Sequence, residues 1–151
     1  MTHKIALLLA ITALASAAAA ADKKLTLKDL PVAVQKTVEE TAKGGEIKNI
    51  GKETEKGVSQ YEVETILNGK HRDFNVDSKG TLLVVEEETS LDSIPAAAKA
   101  TILKKVGTGK LGMIETLTKP GTETMYEAAY TTKAGKKAAL LVKADGTETK
   151  D

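Results

Sequence analysis

The chain has 151 residues, with 22 Lys and Arg against 21 Asp and Glu, a net charge of +1, and no cysteine. The missing cysteine excludes disulfides, thiolate metal sites, a cysteine nucleophile and a lipid-modified cysteine at a processing site. The charge balance gives no basis for the clustered basic surface that nucleic-acid binding requires, or for electrostatic attachment to an anionic membrane.

Residues 1–21 read as a secretory signal peptide: a short start holding Lys4, an apolar run from Ile5 to about Ala15, then small residues with cleavage after Ala21. The run is too short and wrongly flanked for a membrane anchor. The mature chain is therefore expected to be periplasmic or secreted, with no membrane span after processing. Loss of Lys4 leaves its basic and acidic residues in balance. Tyr61, Phe74, Tyr126 and Tyr130 are its only aromatic residues, so its core must be aliphatic.

The first predicted element is a helix, with Asp29 as candidate N-cap, Pro31 in the first turn, and Gly44 and Gly45 as the stop. Val34, Val38 and Ala42 recur every four residues and mark the face that packs on a sheet. A first strand follows, in which the odd spacing of Ile47 and Ile50 predicts a bulge or twist near Gly51. After a turn at Lys56 and Gly57, residues 61–80 read as strand, turn, strand and turn. Asn68 and Gly69 are a type I′ hairpin signal, since both central residues of that turn need positive φ. Tyr61, Val63, Thr65 and Leu67 share one face of the first of these strands; Gln60, Glu62 and Glu64 share the other. On the returning strand Phe74 and Val76 oppose His71, Asp73 and Asn75. A fourth strand after Gly80 is apolar to Val85, and Glu86 to Glu88 read as a charged linker that also blunts a sheet edge.

The pattern then recurs. Leu30 and Pro31 match Ile94 and Pro95 at an offset of 64, as Val34, Val38 and Ala42 match Ala98, Ile102 and Val106, and Ile47 and Ile50 match Leu111 and Ile114. Tyr61 and Glu62 match Tyr126 and Glu127 at 65, while Gly69, Val76 and Gly80 match Gly135, Val142 and Gly146 at 66. The offset grows only at predicted turns, where insertions are cheap. The fold class is therefore α+β: two tandem repeats, 22–88 and 89–151, each a helix followed by a four-stranded antiparallel sheet, packed as one domain because a unit of this length has a marginal core alone. The last strand, TETKD, is short and polar.

The run of Leu30 and Pro31, Ile47, Tyr61 to Val63, Gly69, and Asp77 to Gly80 resembles the PepSY-like family related to the fold of bacterial β-lactamase inhibitor proteins. The second copy departs from the pattern, with Ala128 after Glu127 and Lys143 in place of the turn's aspartate. The resemblance implies an α+β repeat protein outside the cytoplasm, in a superfamily that includes hydrolase inhibitors. Its motifs are structural and carry no catalytic group.

No catalytic set is readable. His71 is the only histidine after processing, and no G-x-S-x-G or HExxH pattern is present. His71, Asp73 and Asp77 form a weak metal pattern, read as a solvated polar face, and no cofactor is implied. The expectation is a non-enzymatic exported protein that engages an envelope or secreted protein or peptide, with hydrolase inhibition as one form of this. Glu62, Glu64, His71 and Asp73 are the candidate binding residues, with Glu127 and Lys137 as their second-copy equivalents. The alternative is a small-ligand or metal-ion binding or sensing protein.

Overall fold

A computed structural model describes residues 24–150; the leader expected over 1–21 lies outside them. The chain divides into two compact units, the first reaching Glu88 and including 116–123, the second built from Thr89–Glu115 and from Thr124 onward. The fold is α+β, with two α-helices and eight strands among the described residues.

The first unit opens with a 3-10 turn, Leu27–Asp29. Asp29 does not cap the helix as expected from the sequence. Its Oδ2 accepts bonds from the Thr26 amide (2.9 Å) and hydroxyl (2.6 Å), closing the turn instead. Helix α1, Val32–Ala42, starts at Pro31, whose missing amide costs nothing there. It ends through Lys43 and Gly44, both at positive φ.

Four strands follow, β1 (Glu46–Glu55), β2 (Val58–Leu67), β3 (Lys70–Asp77) and β4 (Leu82–Thr89), each antiparallel to the next. The turns Lys56–Gly57 and Asn68–Gly69 carry positive φ at both residues, as type I′ hairpins demand. The bulge in β1 lies between Ile47 and Asn49 rather than near Gly51. One extra residue there lets Ile47 and Ile50 both pack into the core despite their odd spacing. Glu86, Glu87 and Glu88 are not a linker but residues of β4, Glu86 and Glu87 pairing with Asp73 and Arg72 of β3.

Val34, Val38 and Ala42 of α1 bury against Ile50, Tyr61, Val63, Phe74 and Val76, with Phe74 wholly buried. Arg72 is the one arginine of the described residues and sits on this same side. Its Nε donates to the Thr41 carbonyl at the end of α1 (3.1 Å), and its guanidinium pairs with Glu87. A cation at a helix C-terminus satisfies an orphan carbonyl and complements the helix dipole.

The second unit has a 3-10 turn, Leu91–Ser93, helix α2, Ala96–Val106, and strands β5 (Lys110–Thr118), β6 (Met125–Thr131), β7 (Lys137–Lys143) and β8 (Glu148–Thr149). β7 pairs antiparallel with β6 and β8. Ala98 and Ile102 bury against Ile114, Ala128, Leu140 and Val142, with Leu111, Tyr126 and Tyr130 packed around them.

Both helices are anchored by the same device. Thr37 of α1 donates its hydroxyl to the Gly80 carbonyl (2.6 Å), and Thr101 of α2 donates to Gly146 (2.8 Å). Both glycines have positive φ, and a Cβ on either would stand 2.7 or 2.8 Å from the carbonyl oxygen of Ala33 or Ala97 in the helix. Helix backbone and turn backbone touch, so only glycine fits.

Candidate functional site

Strand alternation sends every second side chain of β1–β3 away from α1, and the register aligns these residues in rows. One row holds Asn49, Glu64 and Asp73; the next holds Gly51, Glu62 and Asn75; the third holds Glu53, Gln60 and Asp77. Glu86 of β4 extends the first row. The helix side of the sheet is apolar, so the opposite side is free to be polar, and here it is acidic.

Amides hold several of these carboxylates in place. Asn49 Nδ2 donates to Glu64 (3.0 Å), Asn75 Nδ2 to Glu53 (3.0 Å), and Gln60 Nε2 to Glu53 (2.8 Å) and Glu55 (3.2 Å). Asp73 accepts the Thr65 backbone amide (3.0 Å). Neutral donors fix the geometry without removing the charge. Lys48, the extra residue of the bulge, is tied to Glu46 (2.9 Å).

The cost of this crowding falls on Glu62. Burial pushes its carboxyl from 4.5 to about 7, and the neighbouring Glu53, Glu64 and Asp73 push in the same direction. Burial also raises Asp73, opposed by the Thr65 amide and by His71. Glu62 leans over Gly51, where a Cβ would lie 3.9 Å from its Oε2, so the missing side chain opens the sheet surface beside it.

Of the residues singled out in the sequence, Glu62, Glu64 and Asp73 lie together, Glu64 directly opposite Asp73. His71 shares their side at the exposed end of β3, its amide donating to Glu88 (3.1 Å). Asp77 instead closes its turn, with Oδ1 accepting the Lys79 and Thr81 amides (2.8 Å each), which lowers its pKa. Among the described residues no group of three His, Cys, Asp or Glu converges to hold a metal ion.

In the second unit Glu127 opposes Leu141, whereas Lys137 opposes Thr131 at the far end of β7. The four residue steps from Lys137 to Leu141 span roughly 13 Å of strand, so these two candidates do not meet. Glu127 and Leu141 are both buried, on the side of the sheet away from α2.

Sequence reasoning placed Gln60 and Asn75 on this side and read Gly51 as a bulge signal, but named none of them as binding residues, and passed over Glu53 and Asn49. A glycine inside a strand was the available signal, since it marks a place of close approach.

Neither a protein-family model nor a curated protein sequence matches the chain. Solved structures do. A BLIP-like protein from Bacteroides fragilis is 19% identical with a TM-score of 0.60, over 80% of this chain and 84% of that one. A DUF2874 family protein from Bacteroides ovatus is 14% identical with a TM-score of 0.64, over 80% and 85%. A protein described as periplasmic from Bacteroides eggerthii is 14% identical with a TM-score of 0.66, over 80% and 86%. The chain shares the BLIP-like fold. No described helix is long and apolar enough to cross a membrane.

Proposed function

We propose that this is an exported, non-enzymatic binding protein, periplasmic or secreted, that engages a protein or peptide through the sheet face turned away from its helices. The observation that carries this reading is the first unit's open face, where amides hold Glu64 and Asp73 and the register sets Glu62 beside them, none of the three serving the core. Glu62, Glu64, His71 and Asp73 are the contact residues; of their counterparts in the second unit, Lys137 is exposed and available for contact, whereas Glu127 is buried. The matched anchors Thr37–Gly80 and Thr101–Gly146 support a duplicated, PepSY-like origin for segments 22–88 and 89–151. The BLIP-like fold supports inhibition of a hydrolase as one form of this binding.

The test is affinity capture by residues 22–151 from envelope extract, followed by mass spectrometry. An enriched hydrolase whose activity falls on adding the pure chain supports the inhibitor form. Folded chain that captures nothing overturns the reading.

A second reading, small-ligand binding, draws on a groove of about 340 Å³ between Leu25 and Leu27 and the β1 residues Ile47 and Ile50. That volume lies within the range of small-molecule sites. Calorimetric titration with an amphiphile panel decides it, and absence of any heat ends it.

A further inference from the structure

The partner's chemistry can be taken further, on the reading that the first unit's open sheet face is a binding surface. We infer that this face docks an extended basic protein segment, with Glu53, Glu62, Glu64 and Asp73 receiving its Lys and Arg side chains.

The argument starts from charge placement. Acidic and basic residues balance over the chain beyond residue 21. Yet the three rows of this face, Asn49–Glu64–Asp73, Gly51–Glu62–Asn75 and Glu53–Gln60–Asp77, hold carboxylates, amides and one glycine and no lysine or arginine, with Ile66 beside His71 at one end and Val58 beside Glu55 at the other. The basic residues of these strands lie off these rows: Lys52 sits over the Tyr61 ring, Arg72 is buried under α1, Lys70 pairs with Leu67, and Lys48 is held by Glu46 at the end of the sheet. The sheet thus sorts its charge by side.

Spacing selects the occupant. The carboxylates do not converge on a point, as a metal ion would require. They are spread on the strand lattice, with Glu62 and Glu64 about 7 Å apart along β2 and Glu64 and Asp73 about 5 Å apart across the ladder. An extended chain presents alternate side chains at the same repeat of about 7 Å. Gly51 leaves room beside Glu62 for a long basic side chain to lie flat on the sheet. A carboxylate receiving a guanidinium or ammonium group also gains the counter-charge that its amide partners do not supply.

The probe is a deca-arginine peptide, with deca-glutamate as control, titrated by fluorescence anisotropy at low and at physiological salt. The variants are Glu62→Gln/Glu64→Gln/Asp73→Asn and a charge-matched control, Glu39→Gln/Glu40→Gln/Glu148→Gln, whose residues lie on α1 and on β8, outside this face. The expected result is saturable binding of the basic peptide, weakened about tenfold or more by the face variant and less than twofold by the control. Equal loss in both variants means diffuse attraction only and overturns the inference, as does an absence of binding to folded protein. A partner from envelope capture that binds the face variant as tightly as the native chain overturns the inference while leaving the binding-protein reading intact. An empty capture beside face-dependent peptide binding has the reverse meaning.

Discussion

The two units are most alike where the helix meets the sheet and least alike on the opposite side. On the helix side the same contacts recur: a Thr hydroxyl on a glycine carbonyl, helix backbone against turn backbone, and an aliphatic stripe over β-residues. On the other side the first unit carries Glu53, Glu62, Glu64 and Asp73, whereas β6 and β7 of the second carry Met125, Glu127, Ala129, Lys137, Ala139 and Leu141. Packing restricts the helix side to residues that fill space. On the opposite side the first unit leaves Glu62, Glu64 and Asp73 partly exposed, whereas the second buries Glu127 and Leu141.

The same backbone turn even exchanges its side-chain support. Gly80 donates to the Asp77 carbonyl and Gly146 to the Lys143 carbonyl, so the two turns correspond. Asp77 braces the first with its carboxylate; in the second Lys143 cannot, and Asp145 accepts the Thr147 amide instead (2.8 Å). Backbone geometry persists while the acceptor moves two places.

The largest effects should come from the shared side. Phe74→Ala is expected to cost about 3–5 kcal/mol and Leu140→Ala about 2–5 kcal/mol, read by urea unfolding. A negligible loss at either position would break the equivalence of the two cores. Arg72→Ala removes a buried charge that ties α1 to β4, at a cost of about 2 kcal/mol, and leaves Glu87 without that partner. The position that matches it at the offset of 66 is Ala138, so the second unit does without this tie. Gly80→Ala and Gly146→Ala should each cost about 1–3 kcal/mol, from positive φ and contact with the helix backbone. Markedly unequal losses would show that the anchors differ in weight.

The smallest effect distinguishes the open sides. Glu62 has a raised pKa, so the folded state holds its proton more tightly than the unfolded chain. Its contribution is fully present below about pH 4.5 and is lost as pH rises to about 7. Glu62→Gln should therefore stabilise the protein at pH 8 by about 1 kcal/mol, a figure already reduced for solvent screening. Unfolding midpoints across pH 4 to 8 check this, and the substitution should flatten the slope.

Much of the helix side was legible from residue patterns, because a four-residue stripe and a two-residue alternation translate directly into buried faces. Val34, Val38, Tyr61, Val63 and Phe74 lie in the core for that reason. The bulge was legible in kind but not in place, since a bulge is set by which amide loses its partner and not by the nearest glycine. Asp29 was misplaced because a 3-10 turn before Pro31 claims its carboxylate. Glu86 to Glu88 were read as a linker because charge outweighed pairing. Glu62, Glu64 and Asp73 share a side by alternation alone. Their crowding with Glu53 depended on the register of β1, which a one-residue bulge shifts.

The most direct test of the central claim is a carbon-13 NMR titration of the side-chain carboxyls, in the native chain and in Glu53→Gln/Glu64→Gln/Asp73→Asn. An acidic, mutually repelling sheet face predicts a Glu62 midpoint near 7 that falls when its neighbours are neutralised. A midpoint near 4.5 in the native chain, or one near 7 that the triple substitution leaves unmoved, would contradict it.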